Sequence, residues 1–285
     1  MDINLQKNML CYTYWSDTAL LALSLLKKQN QQLRIITRTH RFDLYDDRNM
    51  GNHVPYRLTK YKAVDAVYCI SRHGKRYLEN KLPKKYHGKL ALSYLGVNPP
   101  AEATKKTNPE IPLLVSCARM EPFKRISMIP EILKNVTVPL KWVHFGDGPE
   151  FDLAQQKIKE LPPHIQVTLM GQLTNKEIHD FYRDNEIALF LSLSSSEGLP
   201  VSMMEAISYG IPIIATGVNG VPEIVTEKSG ILLEPDESIE NIADKIVNVI
   251  TANPFNRSEI VDFYRTHFNA ETNYANFAKE ISNLL

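Results

Sequence analysis

The sequence has few cysteines, almost no net charge and no long uncharged apolar stretch, and each of these absences excludes a class of protein. Its 285 residues include only Cys11, Cys69 and Cys117, which are far apart and lie in apolar runs. This spacing indicates reduced, buried thiols rather than a disulfide framework or a metal cluster. Because 33 basic and 32 acidic residues leave a formal charge of +1, no global field attracts nucleic acid or an anionic membrane. An anionic ligand would have to be bound locally.

Membrane-spanning and secreted proteins are also disfavoured. No uncharged apolar stretch approaches the roughly 20 residues that a transmembrane helix needs. The first ten residues, MDINLQKNML, lack the basic start and apolar core of a secretion signal. We therefore expect a cytoplasmic protein. With 44% apolar residues, the chain has enough material for one large core or two smaller ones, and its length favours two.

Short apolar runs alternate with amphipathic stretches through the second half of the chain. The runs lie at 113–118, 141–146, 165–171, 187–193, 211–216 and 230–235. Most are apolar on both faces, which is typical of parallel strands covered on both sides. The stretch that begins at Thr174 has a capping box with Glu177, and VSMMEAISYG is closed by Gly210, so both predict helices. The alternation predicts a doubly wound parallel α/β sheet.

The first half of the chain repeats this theme with fewer elements. Strand-like runs lie at 9–15, 33–40, 66–71 and 89–95, and helix-like segments at 16–30 and 72–82. Residues 99–112 carry four prolines and no periodicity, which predicts a linker. We therefore expect a first α/β domain at 1–98 and a second at 113–253. Residues 254–285 have helical spacing and predict terminal helices that pack across both domains.

The stretch SSSEGLPVSMMEA, residues 194–206, places two acids around a Gly-Leu-Pro elbow. It follows an apolar run and enters a helix near Pro200, whose fixed φ suits a first helical turn. Free N–H groups and the helix dipole predict an anion site there, and Gly198 allows a ligand close to the backbone. Glu205, on the helix face of Val201, is placed to accept hydrogen bonds from a diol such as ribose. Glu197 precedes the elbow and would meet the other end of the ligand.

A plainer interpretation of these two acids stays open: an exposed loop acid at Glu197 and a first-turn acid favoured by the helix dipole at Glu205. The loop CARMEPFKR, residues 117–125, favours the ligand-binding interpretation, because it places Arg119 and Lys124 at the carboxyl end of another strand. Two cations facing a helix N-terminus make a diphosphate clamp, with each charge-assisted contact contributing about 1.5–3 kcal/mol. A solvated basic loop is the alternative for this pair.

Several further blocks occur in a family's characteristic order. They are CISRHGKRYL, SYLGVN, CARMEPFKR, HFGDGPE, TLMGQLTNKEIHDFY, SSSEGLPVSMMEAISYGIPIIATGVNGVPEIV and SGILLEP. Through these blocks, residues from about 66 to 252 resemble the family-four retaining glycosyltransferases of the GT-B fold. The resemblance implies two Rossmann-like α/β domains, with parallel sheets covered by helices on both faces.

The resemblance also implies roles for individual residues around a nucleotide-sugar donor. Four charged or titratable side chains would act on the sugar and phosphates, with Arg119 and Lys124 on the diphosphate, Glu197 on the sugar hydroxyls and His40 facing the sugar. Glu205 would bind the ribose. Other contacts would come from the backbone of Gly198, Leu199 and Pro200 at sugar and phosphate, and from Gly171, Gln172 and Leu173 at the base. In FGDGPE, Gly146 and Gly148 would serve backbone geometry.

Two further expectations concern candidate site residues of the first domain and the need for a cofactor. A lone histidine at a strand end, such as His40, is often structural, so that alternative stays open. Arg41 and Asp43 would touch an acceptor or tie their loop together. No metal or other cofactor is expected, because YDDR at 45–48 is not the Asp-any-Asp pattern of metal-dependent glycosyltransferases.

The implied reaction moves a sugar from a UDP- or GDP-sugar to an acceptor hydroxyl with retention of configuration. A glycosidase-like pair of Glu197 and Glu205 is disfavoured, because both acids are better placed as binders. Similarity to enzymes of capsule and exopolysaccharide assembly implies a saccharide or lipid-linked saccharide acceptor at the inner face of the membrane. A nucleotide-sugar epimerase is disfavoured by the spacing of the charged residues. A Rossmann dehydrogenase is disfavoured because no Gly-any-Gly-any-any-Gly follows a first strand.

The chain departs from the family pattern at its start. Family members usually have a strand, a glycine-rich turn and further strand and helix units before the equivalent of residues 9–15. We therefore expect an incomplete N-terminal domain, either truncated or completed by a partner chain or oligomer. A non-catalytic sugar-nucleotide-binding subunit, or a truncated and inactive transferase, is the alternative function.

Overall fold

The computed structural model describes residues 9–98 and 109–284, which form two α/β units. One unit comprises the described residues up to Leu95 together with those from Glu271, and the other lies between Gly96 and Ala270. Two predictions fall largely outside the described residues: the character of the first ten residues, and the linker at 99–112, of which only 109–112 is described.

The first unit is built on a four-stranded parallel sheet in the order β1-β2-β3-β4. The strands are β1 (Leu10–Thr13), β2 (Arg34–Thr39), β3 (Ala66–Cys69) and β4 (Leu90–Leu92). The helices are α1 (Thr18–Gln29), α2 (Arg41–Leu44), α3 (Arg57–Ala63) and α4 (Arg72–Lys81), with 3-10 turns at Asp46–Arg48, Met50–Asn52 and Lys84–Lys89. The core joins buried side chains of helices and strands, among them Leu20, Ile35, Val67 and Leu78.

The second unit contains a six-stranded parallel sheet. Its strands are β5 (Leu113–Cys117), β6 (Leu140–Phe145), β7 (Ile165–Leu169), β8 (Leu189–Ser192), β9 (Ile213–Thr216) and β10 (Gly230–Leu233). They lie in the order β10-β9-β8-β5-β6-β7. The helices are α5 (Ile129–Leu133), α6 (Phe151–Ile158), α7 (Asn175–Asp184), α8 (Val201–Ser208), α9 (Ile239–Ala252) and α10 (Arg257–His267), with 3-10 turns at Pro122–Lys124, Ile126–Met128 and Val221–Glu223. Trp142, Leu189, Ile214 and Ile246 are among its buried core residues.

The C-terminal helices divide between the two units. Helix α10 belongs to the second unit, whereas nearly all of α11 (Ala270–Ser282) belongs to the first. Phe277 on α11 packs there against Ile36 and Tyr68.

The observed elements agree with the strands predicted from the sequence. Each strand-like run of the sequence corresponds to a strand, and residues 254–285 contain the expected helices.

Two local features are not apparent from the sequence, and one prediction is wrong in part. Residues Ile126–Met128 form a 3-10 turn, and the five-residue α5 follows it. Arg125 has a left-handed φ of 53°, and Pro130 lacks an N–H, so a single longer helix cannot form there. Helix α3 was not predicted, because its seven residues have no apolar period. All three cysteines are free, as expected, but only Cys69 is buried.

The other helix signals agree with the structure. Thr174 and Glu177 form the expected capping box, with the Thr174 N–H donating to Glu177 Oε2 at 2.8 Å. Gly210 follows α8 with φ +72°, a conformation that glycine adopts without strain. Across residues 9–98 and 109–284, no helix has the length and apolar character needed to cross a membrane.

Three buried polar side chains of the second sheet form a series of hydrogen bonds. The indole of Trp142 donates to the Ser116 hydroxyl at 2.8 Å, and that oxygen lies 2.8 Å from Nδ1 of His144. The hydroxyl already accepts from the indole, so its own proton is available to Nδ1 of a neutral imidazole. His144 is fully buried, and burial lowers its pKa to about 4.

This burial predicts a pH dependence of stability. Between about pH 6.5, the ordinary histidine pKa, and about pH 4, the unfolded chain binds a proton at His144 that the folded chain does not. The free energy of unfolding should therefore fall as the pH drops through this window, by up to about 3 kcal/mol from this residue. Urea unfolding at several pH values should show a shallower decline for His144→Asn than for the unmodified chain. Equal slopes would contradict the prediction.

Candidate functional site

The strand order of the second unit reverses between β5 and β8. Strand β5 pairs with β6 on one side and with β8 on the other, all parallel. Open α/β sheets bind ligands in the crevice outside the carboxyl ends of their strands at such a reversal. Arg119 and Lys124 follow β5, whereas Glu197 and Gly198 follow β8. The two predicted halves of the site therefore leave adjacent strands at the same edge of the sheet.

Direct contacts join these two loops. The Lys124 ammonium donates to Oε1 of Glu197, and only 19% and 8% of the two side chains are exposed. The Ser195 N–H donates to the Phe123 carbonyl at 2.8 Å, and its hydroxyl donates to the same oxygen at 3.2 Å. The interpretation of Glu197 as an exposed loop acid is therefore wrong. It is a buried carboxylate whose charge is balanced by a lysine.

Arg119 is placed differently from Lys124. Its side chain is 69% exposed, and its Nε donates to Oε1 of Glu121 at 2.6 Å, within the same loop. The two cations therefore have separate partners: Lys124 bridges to the β8 loop and Arg119 pairs locally. Arg119 also lines the cavity described below.

The elbow between β8 and α8 is buried as well. Residues 197–200 all lie below the surface, and Pro200 precedes the first residue of α8 with no side-chain cap on that helix. Gly198 does not adopt a left-handed φ. The Asn219 side chain donates to the Glu197 carbonyl at 2.8 Å and holds the elbow from the loop after β9. Asn219 was not predicted from the sequence, although it lies in the motif that begins at Ser194, and its left-handed φ of +48° marks a constrained turn.

Glu205 is held from the neighbouring helix. Its Oε1 accepts a hydrogen bond from the Asn175 amide at 2.7 Å, and His179 Nε2 lies 3.6 Å from the same oxygen. Glu205 is 7% exposed and is the fifth residue of α8, so it is not a first-turn acid. Val201, four residues earlier on α8, lies on the same helix face, as expected, and is 45% exposed. Asn175 and His179 were not singled out from the sequence.

A cavity of about 520 Å³ opens over the carboxyl ends of β5 and β6. Its wall contains three of the residues predicted to contact the donor, Arg119, Gln172 and Leu173. Its other lining residues are Cys117, Ala118, Phe145, Gly146, Asp147, Gly148 and Ile178. Lys124, Glu197 and Glu205 are not in this wall. The cavity thus contains the residues predicted for the base together with one of the two predicted phosphate ligands, Arg119.

Three glycines shape the cavity. Gly146 and Gly171 form an antiparallel bridge, with the Gly146 N–H donating to the Gly171 carbonyl at 2.8 Å. A Cβ on Gly146 would lie 2.0 Å from the Ala118 carbonyl oxygen, and one on Gly148 would lie 2.8 Å from the Met120 nitrogen. Both have positive φ, 134° and 156°. Their role in backbone geometry agrees with the expectation for FGDGPE.

His40 lies in the first unit, directly after β2. Its ring centroid is 4.5 Å from that of Tyr14 and 5.9 Å from that of Trp15. Neither ring nitrogen has a hydrogen-bond partner in the described part of the chain. Burial lowers the pKa of His40 to about 4, and the positive charge of Arg38 contributes to this lowering, so the ring is neutral at pH 7. Its role towards a donor sugar stays a prediction.

The neighbours of His40 hold their loop together. Asp43 accepts hydrogen bonds from the backbone nitrogens of Ser16 and His40, and Arg41 contacts Asp47 at 3.2 Å. In the two described ranges, no group of three or more histidine, cysteine, aspartate or glutamate side chains could hold a metal ion.

Comparison with known proteins identifies the family. The family described as glycosyl transferases group 1 matches residues 100–282, which is well over half of the sequence. The chain belongs to this family. The resemblance found in the sequence motifs is confirmed at this level, and the retaining chemistry stays a prediction.

The individual relatives of this family member are distant. The GPI3 subunit of phosphatidylinositol N-acetylglucosaminyltransferase from Saccharomyces cerevisiae is 24% identical over 217 residues, which cover 70% of this chain and 46% of that protein. WcaL of Escherichia coli K12, described as a candidate colanic acid biosynthesis glycosyltransferase, is 26% identical over 207 residues, 69% of this chain and 51% of that protein. The chain thus spans about half the length of these curated relatives.

Solved structures define the fold. HepE of Anabaena, in complex with UDP-glucose, superposes with a TM-score of 0.77 at 16% identity, covering 96% of this chain and 78% of that one. This chain therefore has the predicted GT-B class of α/β fold, with parallel sheets and flanking helices.

The glycine geometry yields a matched pair of variants. Gly146→Ala introduces both a left-handed alanine and a backbone clash at 2.0 Å, so it should lower the free energy of unfolding by about 3 kcal/mol or more. Gly171→Ala, with φ +67° and no atom within 4 Å of the added Cβ, should lower it by only about 1–2 kcal/mol. Urea unfolding measures both, and equal losses would contradict the close approach at Ala118.

Proposed function

We propose that this chain transfers a sugar from a nucleoside diphosphate sugar to a hydroxyl of a saccharide or lipid-linked saccharide, with retention of configuration. The observation that carries this proposal is the pairing of Lys124 with Glu197 beside the uncapped start of α8, where the strand order reverses. UDP-glucose in HepE supports a UDP-sugar over a GDP-sugar, and the colanic acid description of WcaL supports a role in capsule or exopolysaccharide assembly.

The diphosphate would bind between the β5 loop and the start of α8. The Lys124 ammonium carries three protons and uses one on Glu197, so two remain for phosphate oxygens. Arg119 would contribute from the cavity wall, and the first N–H groups of α8 supply the positive end of a helix dipole. Lys124 and the start of α8 are preorganised by burial and packing, so they cost little reorganisation when the leaving diphosphate accumulates charge.

The sugars would bind on either side of this diphosphate. Glu205 uses Oε1 for Asn175, which leaves Oε2 to accept hydrogen bonds from the ribose hydroxyls. Glu197 would contact hydroxyls of the donor sugar, and the base would lie against Gly171, Gln172 and Leu173. The backbone of Gly198, Leu199 and Pro200 would approach the sugar and phosphate.

The chemical step would need no protein nucleophile. Glu197 is paired with an ammonium ion, which lowers its nucleophilicity, and this favours a binding role. The departing phosphate oxygen would take the acceptor proton as the acceptor attacks the same face of an oxocarbenium-like sugar. Lys124, Arg119 and the helix dipole would balance the leaving-group charge, so we propose no metal or other cofactor. His40 would face the donor sugar as a neutral ring.

A non-catalytic or inactive sugar-nucleotide-binding protein is the second candidate. The yeast relative, whose name makes it one subunit of a transferase, supports a role within a complex. Either candidate would act, alone or with a partner chain or a second copy, in the cytoplasm or at the inner face of the membrane. The two candidates share a donor site and differ in turnover, so they are separated by measuring binding and transfer in one preparation.

Thermal unfolding with nucleotides tests the donor site. UDP at about 100 times its Kd should stabilise the chain by roughly 2.7 kcal/mol. Lys124→Met together with Glu197→Gln, which leaves no unpaired buried charge, should lose most of this stabilisation. Lys134→Ala removes a surface lysine paired with Glu160 in the same unit and should keep it. If neither UDP nor GDP shifts the melting temperature, the proposal fails, whereas binding without sugar transfer selects the non-catalytic candidate.

The ribose contact can be tested separately, through the preference for UDP over 2′-deoxy-UDP. The unmodified chain should bind UDP at least about tenfold more tightly than 2′-deoxy-UDP, because Glu205 loses a hydrogen bond when the hydroxyl is absent. Glu205→Ala should weaken UDP binding and abolish this preference, and Asn175→Ala should reduce it. Calorimetry measures the affinities of each protein for both nucleotides, with Glu160→Ala as a control on an exposed acid of the same unit. An unchanged preference in Glu205→Ala would contradict the assignment.

A further inference from the structure

A second cavity, of about 380 Å³, lies within the first unit at the carboxyl ends of β1 and β2. Its wall includes residues 16–18, which follow β1, and residues 42–43, which follow β2. The remaining wall comes from α1, from the segment that leads into α3 and from α3 itself. Its volume falls within the range of small-molecule sites. None of the donor residues discussed above belongs to it.

The cavity presents both hydrogen-bond donors and acceptors. Lys60 is 4% exposed and donates one hydrogen bond, to the Ser16 carbonyl at 2.6 Å, so two of its three protons lack an acceptor within the described ranges. Asp17 accepts from the Ala19 N–H at 2.9 Å through Oδ1, and its Oδ2 is available. Asn49 donates through Nδ2 to the carbonyls of Phe42 and Tyr45, which leaves its Oδ1 available.

The charge around Lys60 disfavours an anionic occupant. The charged groups facing it are Asp43, Arg57 and Asp17. Arg57 lies outside the cavity wall and shares the Asp46 carboxylate with Lys81, at 2.7 and 3.0 Å. Burial raises the pKa of Asp43 to about 6, so this acid is mostly ionised at pH 7. The charged residues of the wall itself are one lysine and two carboxylates, and their net negative charge disfavours phosphates and carboxylates.

Two exposed aromatic rings complete the wall. Phe42 and Tyr56 are each 63% exposed and line the cavity together with Leu21, Val54 and Pro55. Tyr56 has a left-handed φ of 54°, a conformation uncommon for a bulky residue. An aromatic side chain offers a large apolar surface for the C–H face of a flat ligand. Apolar rings beside mixed donors and acceptors match a ligand with hydroxyls on its edge and C–H groups on its face.

We propose that this cavity binds one uncharged saccharide ring, with Lys60, Asp17 and Asn49 on its hydroxyls and Phe42 and Tyr56 against its face. The further assignment of this ring to the acceptor rests on the proposed function. It narrows the acceptor to one whose reacting end is a neutral sugar, so that a phosphate or a lipid part lies elsewhere.

Saturation-transfer NMR on the full chain tests the proposal with methyl glycosides of glucose, galactose, mannose and N-acetylglucosamine. At least one should bind in the millimolar range, and methyl glucuronide should bind more weakly than methyl glucoside. Phe42→Ala and Lys60→Met should each weaken binding by about tenfold or more. Leu58→Ala, which alters a 51% exposed residue on α3 outside the cavity wall, should leave binding unchanged.

Several results would overturn the proposal. They are the absence of binding by all four neutral glycosides, equal binding in Phe42→Ala, or tighter binding of the glucuronide. Phe42 is exposed, so its variant decides the outcome even if Lys60→Met fails to fold. UDP-induced stabilisation, measured on the same variants, should be unchanged. If the unmodified chain does not bind UDP, the proposed donor site is contradicted. The result on saccharide binding is not affected by that outcome.

Discussion

The ion pair between Lys124 and Glu197 is the interaction on which the proposed site depends. It links the loops after β5 and β8, the two strands between which the sheet order reverses. Burying one of these charges without the other would be strongly unfavourable, so each fixes the position of its partner. Because Ser195 and Asn219 also hold the β8 loop, the elbow before α8 is positioned from both flanking strands. Any ligand that uses the start of α8 meets a lysine whose position is already fixed.

The same edge of the sheet shows why so many glycines surround the site. The carbonyl of Ala118 and the backbone of Met120 approach Gly146 and Gly148 so closely that no side chain fits between them. This close packing brings the loops after β5, β6 and β7 together and leaves a cavity beside them. The site is thus formed mostly by backbone proximity, and a few side chains supply its charge. Family membership, which rests on sequence, agrees with this architecture.

Much of the fold and part of the site could be predicted from the sequence. The strands were recognisable because parallel strands buried on both faces form continuous apolar runs, and the motifs placed Arg119, Lys124, Glu197 and Glu205 on one sheet edge. Partners distant in sequence, such as Asn175 with Glu205 and Asn219 with the elbow, could not be predicted, because nothing local marks a polar residue as the partner of a distant acid. The burial of Glu197 and the exposure of Arg119 likewise depend on tertiary packing. The saccharide cavity of the first unit involves separate segments with no shared motif.

The most direct test of the central claim is a crystal structure of the chain with UDP bound. We predict that the diphosphate lies between the loop after β5 and the first turn of α8, with an oxygen within hydrogen-bond distance of Lys124 Nζ and the ribose hydroxyls at Glu205. A diphosphate bound away from this crevice, with the Lys124 and Glu197 pair untouched, would contradict it.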